Sequence, residues 1–106
     1  MALDNIFFVK NPCVVQRVGC FKDRKNEVFP KLIGNFRNQI DWNNMDKTVR
    51  QCSCAAHEGG YKVFAVQYYG ECWGSREMVQ YDKYGPSKDC WKEVGKENTN
   101  FVYKFA

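Results

Sequence analysis

Residues 61–74 read YKVFAVQYYGECWG, and this stretch decides the fold. β-Branched and aromatic residues dominate its first part, a composition that favours a pleated strand, so we predict a strand from Tyr61 to Tyr69. Gly70 to Gly74 then forms a turn that leads into another extended piece, because glycine and a charged residue interrupt the apolar run.

A helix precedes this strand. We place it from Thr48 to Ala56, with Asn44 or Asp46 as its cap and the Gly59-Gly60 pair as its end. Its apolar residues recur at the spacing of one buried helical stripe. The stripe consists of Met45, Val49, Cys52 and Ala56.

Two further segments have strand character, and polar segments connect them. Val14 to Phe21 is rich in β-branched residues, and Phe101 to Phe105 alternates so that Phe101, Tyr103 and Phe105 share one face. The remaining segments are a long loop from Lys22 to Asn44 with a short strand or turn, a loop from Gln80 to Cys90 and a polar turn from Lys96 to Asn100. We predict an α+β fold, a small disulfide-stabilised domain with one main helix packed on an antiparallel sheet. It is a single domain over residues 1–106, with a lead-in at 1–12 that can add an edge strand and a core from about 13 to 105.

Cysteine usage points to disulfides. The chain of 106 residues has six cysteines and one histidine. The close pair Cys52 and Cys54 has no second close pair to complete a zinc site, and an even number of cysteines in a short chain favours three bridges. We therefore expect no cofactor and no metal, and a secreted or extracellular location.

No signal peptide is visible, because the apolar run Ile6 to Val9 is too short for one. We expect Met1 to mark an expression start on a mature protein or an excised module. No stretch is long enough to span a membrane, and no nucleic-acid motif is present, so we predict neither membrane insertion nor nucleic acid as a partner.

Three segments carry a family resemblance: Val18 to Asp23, Met45 to Cys52 and Gly60 to Gly74. Together they resemble the WSC module, a cysteine-rich extracellular domain. The likeness is closer still to the WSC-like or PAN/apple-like modules of secreted invertebrate proteins, in which Tyr-Gly-Glu-Cys-Trp and a late Thr-Asn-Phe-Val-Tyr strand recur. The resemblance covers residues 18 to 105. It implies a small module that binds carbohydrate or protein, and it implies no catalytic residue set.

The helix separates two of the cysteines. Cys52 lies on the buried stripe and Cys54 about 200° further round, so the two need different partners. We place Cys52 against the central strand, which resembles the helix-to-hairpin bridge of PAN/apple modules, and join the first strand to the segment before the last. The resulting pairs are Cys52–Cys72, Cys20–Cys90 and Cys13–Cys54. Six cysteines allow fifteen connectivities, so this set is one hypothesis among several.

Catalytic and ion-binding interpretations have weaker support. Cys54 and His57 are close on one helix, but no oxyanion donor or orienting carboxylate accompanies them. Carboxylate pairs such as Glu71 with Asp82 or Glu77 are explained by surface charge, since so small a domain seldom supplies a deep cleft. The oxygen-rich run from Asp41 to Asp46 lacks the glycine and glutamate of a calcium loop, and helix capping explains it. We expect a protein that is not an enzyme.

Aromatic residues beside predicted turns suggest the binding surface. Sugar C–H groups stack on aromatic rings, and amide or charged side chains bind hydroxyls, although such a mixture also suits a protein partner. The predicted ligand-binding residues are Tyr69, Glu71, Trp73, Arg76, Tyr81, Asp82 and Tyr84.

Two features have alternative interpretations that stay open, the tryptophans beside cysteines and the basic stretch. Core packing against a disulfide is the stronger interpretation of Trp73 and Trp91, which leaves Tyr81 and Tyr84 as the better ligand candidates. The basic stretch Arg17 to Arg37 is either a solvated surface or a weak site for sulfated polysaccharides. We predict a lectin-like module for carbohydrate or matrix glycans. The alternative is a protein-interaction module or a small secreted effector such as a toxin or inhibitor.

Overall fold

The computed structural model describes residues 13–105, which contain seven strands, one α-helix and one turn of 3₁₀ helix. The strands are β1 Val15–Lys22, β2 Lys31–Asn35, β3 Val63–Gln67, β4 Glu71–Ser75, β5 Cys90–Trp91, β6 Val94–Gly95 and β7 Thr99–Phe105. Helix α1 spans Asp46–Glu58, and the 3₁₀ turn spans Arg37–Gln39. The predicted lead-in at 1–12, with its edge strand, lies outside the described residues.

Five strands form one antiparallel sheet in the order β1-β7-β3-β4-β2. In its centre, Val66 of β3 pairs with Phe101 of β7 on one side and with Cys72 of β4 on the other. Strands β5 and β6 form a separate hairpin. The predicted α+β class, with one helix on an antiparallel sheet, is confirmed.

Strand β3 is buried on both faces, because its side chains alternate between two apolar clusters. Phe64 and Val66 belong to the cluster under α1, whereas Val63 and Ala65 belong to the opposite cluster. The predicted helix stripe lies in the first cluster, as do the three aromatic residues of β7. These residues are Met45, Val49, Cys52, Ala56, Phe101, Tyr103 and Phe105.

Within the described residues, loops cover the opposite face of the sheet. The loop between β1 and β2 is held by Asp23, whose Oδ1 accepts hydrogen bonds from the backbone N–H groups of Arg24 (2.9 Å) and Val28 (3.1 Å). Its Oδ2 accepts a third from Nε2 of Gln67 at the end of β3, at 2.8 Å. The buried carboxylate therefore ties this loop to the sheet.

The helix ends as predicted but starts differently. Gly59 caps its C-terminus, and Gly60, with φ of 75°, continues in the left-handed conformation that glycine adopts freely. The cap prediction at the start was wrong: Met45 is the N-cap, no side chain caps the helix, and Asp46 is already helical. Asp41 instead turns the preceding loop by accepting the Asn43 N–H at 3.0 Å.

Strand boundaries differ from the prediction around the central hairpin. β3 ends at Gln67, and the turn is formed by residues 68–70, not by 70–74. Tyr68 and Tyr69 therefore leave the strand, and Glu71 to Ser75 is fully extended as β4. The loop from Lys22 to Asn44 contains the short strand that was expected, β2, while the β5–β6 hairpin was not predicted.

Three disulfides join these elements, with the same pairs that the sequence analysis proposed. Cys52 of α1 is bonded to Cys72 of β4 inside the core. Cys20–Cys90 joins β1 to β5, and Cys13–Cys54 joins the start of the described chain to the outer side of α1. The bridges close sequence separations of 20, 70 and 41 residues, so each removes substantial freedom from the unfolded chain.

Candidate functional site

The turn between β3 and β4 presents two tyrosines in an uncommon backbone conformation. Tyr68 and Tyr69 have φ values of 51° and 70°, a left-handed conformation that costs a non-glycine residue about 1 kcal/mol or more. Backbone hydrogen bonds fix both residues against the neighbouring hairpin. The Tyr68 N–H donates to the Lys96 carbonyl at 3.2 Å, and the Tyr69 N–H donates to the Gly95 carbonyl at 2.8 Å.

The β5–β6 hairpin holds Trp91 and Lys96 beside this turn. Its two-residue turn, Lys92 and Glu93, also has positive φ values, 46° and 69°. The phenol of Tyr103 donates to the Glu93 carbonyl at 2.6 Å, and burial raises the pKa of that phenol, so the donor stays protonated. The hairpin is thereby anchored to β7.

Trp42 completes the group from the loop before α1. Its side chain is 52% exposed, and its ring centroid lies 5.5 Å from that of Tyr69 and 6.0 Å from that of Trp91. We call these three residues, Trp42, Tyr69 and Trp91, the aromatic patch. Together with Lys96 they line a shallow concavity of about 470 Å³.

The chemistry of the aromatic patch suits a ligand with flat apolar faces and polar edges. The exposed indole of Trp42 and the half-buried rings of Tyr69 and Trp91 offer stacking surfaces for sugar C–H groups, while Lys96 is the charged residue in the lining. Next to the patch, the guanidinium of Arg37 lies 3.5 Å from the centre of the Tyr68 ring and holds that ring in place.

Of the predicted ligand residues, Tyr69 alone lies in this patch. Glu71 and Trp73 face the opposite side of the sheet, where the indole N–H donates to Glu71 Oε1 at 3.3 Å. Arg76 lies beyond the end of α1, donates to the Gly59 carbonyl at 3.0 Å and stacks on the Tyr61 ring.

The remaining predicted residues lie in the loop after β4. Tyr81 packs on Phe21 with ring centroids 5.2 Å apart, and the Tyr84 hydroxyl donates to the Asn26 carbonyl at 2.6 Å. Asp82 is exposed. Both tyrosines are half-buried and make structural contacts, and their role in ligand binding stays a prediction.

Carboxylates gather on the loop-covered face, near Trp73. Partial burial raises the pKa of Glu27, and the negative charges of Asp23 and Glu71 raise it further. Glu27 therefore lies within range of the charges of Asp23 and Glu71. Asp23 is already occupied by three hydrogen-bond donors, so this group serves the loop.

Other parts of the described chain have different features. A concavity of about 450 Å³ beyond the end of α1 is lined by Met78 and by the rings of Tyr61 and Phe105, and the guanidinium of Arg76 already covers the Tyr61 ring. Cys54 is in a disulfide, so it is no thiol nucleophile beside His57. Within residues 13–105, no three His, Cys, Asp or Glu side chains are grouped to hold a metal ion, and no helix is long and apolar enough to cross a membrane. A concavity of about 490 Å³ near the start of α1 is lined by polar and charged residues such as Asp46 and Arg50, without an aromatic ring.

Trp42, Trp91 and Lys96 were missed as binding residues by the sequence analysis. One local signal was present: Trp42 stands between Asp41 and Asn43 in a polar loop, where a large apolar side chain has no core to enter. Trp91 was interpreted as core because it follows a cysteine, and in the structure it is half-buried and packs against the apolar cluster under α1 while it also lines the concavity.

Comparison with known proteins gives one result. The family model of the WSC domain matches residues 17–100, a range that begins in β1 and ends in β7. It contains α1, the central hairpin and every residue that lines the aromatic concavity. No curated protein matches the chain.

Proposed function

Because the chain belongs to the WSC domain family, as its motifs predicted, we propose that it is an extracellular module that binds carbohydrate through the aromatic patch. WSC domains are modules associated with carbohydrate binding, and three disulfides suit an oxidising, extracellular or cell-surface location. The module binds its ligand and leaves it chemically unchanged.

One observation carries the assignment to this patch. Each of two turns contains a consecutive pair of non-glycine residues in the left-handed backbone conformation. The pairs are Tyr68-Tyr69 and Lys92-Glu93. Glycine or asparagine would form such turns with less strain, so these side chains are retained at an energetic cost. Strained residues of this kind cluster at ligand sites, and both turns border the concavity of Trp42, Tyr69 and Trp91.

The test is a glycan array with the intact protein, followed by calorimetric titration of the strongest glycan. Trp42→Ala should weaken binding about tenfold or more, the usual cost of truncating an aromatic anchor. Met78→Ala is the matched control, since Met78 is a similarly exposed apolar side chain, at 58%, outside the patch. The affinity of Met78→Ala for the glycan should equal that of the wild type.

The array also separates this proposal from its alternatives. Tyr84→Ala tests the loop surface first suggested by the sequence: if it abolishes binding while Trp42→Ala does not, the ligand lies on that loop. An array without any binding glycan would remove the carbohydrate proposal. The protein-interaction and effector alternatives rest on the same aromatic patch, and they predict a protein partner whose affinity is indifferent to free sugars.

A further inference from the structure

We infer that the aromatic patch selects an anionic sugar, carboxylated or sulfated, whose acidic group pairs with the ammonium of Lys96. This inference rests on the proposed function and adds the chemical class of the ligand. Its basis is Lys96, which is the charged residue of the lining and makes no ion pair within residues 13–105.

Lys96 has a fixed backbone, and its ammonium makes no ion pair with another described residue. Its backbone N–H donates to the Asp89 carbonyl at 3.0 Å, and its carbonyl accepts the N–H groups of Tyr68 and Thr99, both at 3.2 Å. Within residues 13–105, no carboxylate forms an ion pair with its exposed side chain, which lines the concavity with the three rings. Because the backbone of Lys96 is fixed and its ammonium has no ion-pair partner within residues 13–105, this ammonium can donate a charge-assisted hydrogen bond to an anion.

Neighbouring cations add to this charge. The Lys92 ammonium lies 5.1 Å from the centre of the Trp91 ring, and the Arg37 guanidinium lies over Tyr68 next to the patch. Two of the three cations are therefore already placed against aromatic faces. Lys96 is the one in the lining itself, which is why we assign the anion contact to it.

Nearby acids lie outside the lining of the concavity. Glu93 is paired with Arg17, whose Nη1 approaches its carboxylate to 2.6 Å. Asp41 accepts the Asn43 N–H within its own loop and does not line the concavity. Glu97 follows Lys96 in the chain, and Asp89 directly precedes the β5–β6 hairpin. Neither residue lines the concavity.

The experiment compares chemically matched ligand pairs by calorimetric titration of the intact protein. One pair is trigalacturonate and its fully methyl-esterified form, which present the same stacking faces with and without charge. The other is a sulfated trisaccharide and its desulfated form. The variants are Lys96→Gln, which keeps a long polar side chain, and Lys25→Gln, an exposed lysine in the loop that covers the opposite face.

The wild type should bind at least one charged ligand about three- to fivefold more tightly than its neutral partner, the effect of one exposed ion pair. Lys96→Gln should bring the ratio of charged to neutral affinity to about one, and Lys25→Gln should retain the wild-type ratio. Added salt should weaken only the charged ligand. Whichever pair shows the preference identifies the anion as carboxylate or sulfate.

The contrary results are distinct. If the wild type binds charged and neutral members equally, the inference falls while carbohydrate binding stands. If the preference for the charged ligand survives Lys96→Gln, the inference is also overturned, because another residue then contacts the anion. If none of the four ligands binds and the glycan array is blank as well, the proposed function fails together with the inference.

Discussion

Asp23 illustrates how a residue in a motif can have a structural role. The sequence marked it only as the acidic residue of Val18 to Asp23, part of the segment that resembles the family. In the structure the carboxylate is 7% exposed and accepts three hydrogen bonds, two from its own loop and one from Gln67. A buried charge is tolerated when donors surround it in this way.

Asp23→Ala should therefore destabilise the fold by about 1–3 kcal/mol, because it leaves three partly buried N–H donors without their acceptor. Urea unfolding followed by tryptophan fluorescence measures the loss. Asp82→Ala is the control, since Asp82 is exposed in a neighbouring loop and should change stability by less than about 0.5 kcal/mol. Equal midpoints for Asp23→Ala and the wild type would contradict this role.

At the scale of elements, the sequence was most informative where a regular period repeats. The stripe from Met45 to Ala56 predicted α1 and its buried face, and the β-branched run predicted β3. The β5–β6 hairpin gave no such signal, because each strand has two residues and its Lys92-Glu93 turn lacks glycine and asparagine. The cap prediction failed because Met45 already has helical backbone angles, and Asn44 accepts the Lys47 N–H through its backbone carbonyl, not through its side chain.

Gly95 gives a test of this hairpin. A Cβ at this position would lie 1.8 Å from the Thr99 carbonyl oxygen and 2.9 Å from that of Val66, so the backbone must shift. We expect Gly95→Ala to cost about 1–3 kcal/mol and to weaken glycan binding, because Trp91 and Lys96 move with the hairpin. Unfolding curves and calorimetric titration measure the two effects.

Gly60→Ala is the matched control for Gly95→Ala. Gly60 has φ of 75° with open space around its α-carbon, at the end of α1 away from Trp42. Gly60→Ala should lower the free energy of unfolding through backbone strain alone, and it should keep the wild-type glycan affinity. If both variants retain that affinity, the hairpin does not position the ligand contacts.

At the scale of the whole molecule, the disulfides and the binding surface differ in how far the sequence predicts them. The position of Cys52 and Cys54 on opposite sides of one helix restricted their partners, so a pairing could be proposed. The aromatic patch consists of residues from three segments that are distant in sequence but adjacent in the fold. No local sequence pattern predicts that they are adjacent. The sequence therefore identified Tyr69 but not the residues beside it.

The two sides of the sheet also separate the three tryptophans of the chain. Trp42 and Trp91 lie in the aromatic patch, whereas Trp73 packs on the loop-covered side with its indole N–H bonded to Glu71. Each indole N–H gives its own signal in a ¹⁵N-correlated NMR spectrum. A ligand can thus be located by the signals that it moves.

Titration of the ¹⁵N-labelled protein with its strongest array glycan is accordingly the most direct test of the binding surface. We predict that the indole signals of Trp42 and Trp91 shift with ligand concentration while that of Trp73 stays in place. Assignment follows from single Trp→Phe variants. A titration in which the Trp73 signal shifts and the other two do not would contradict the account.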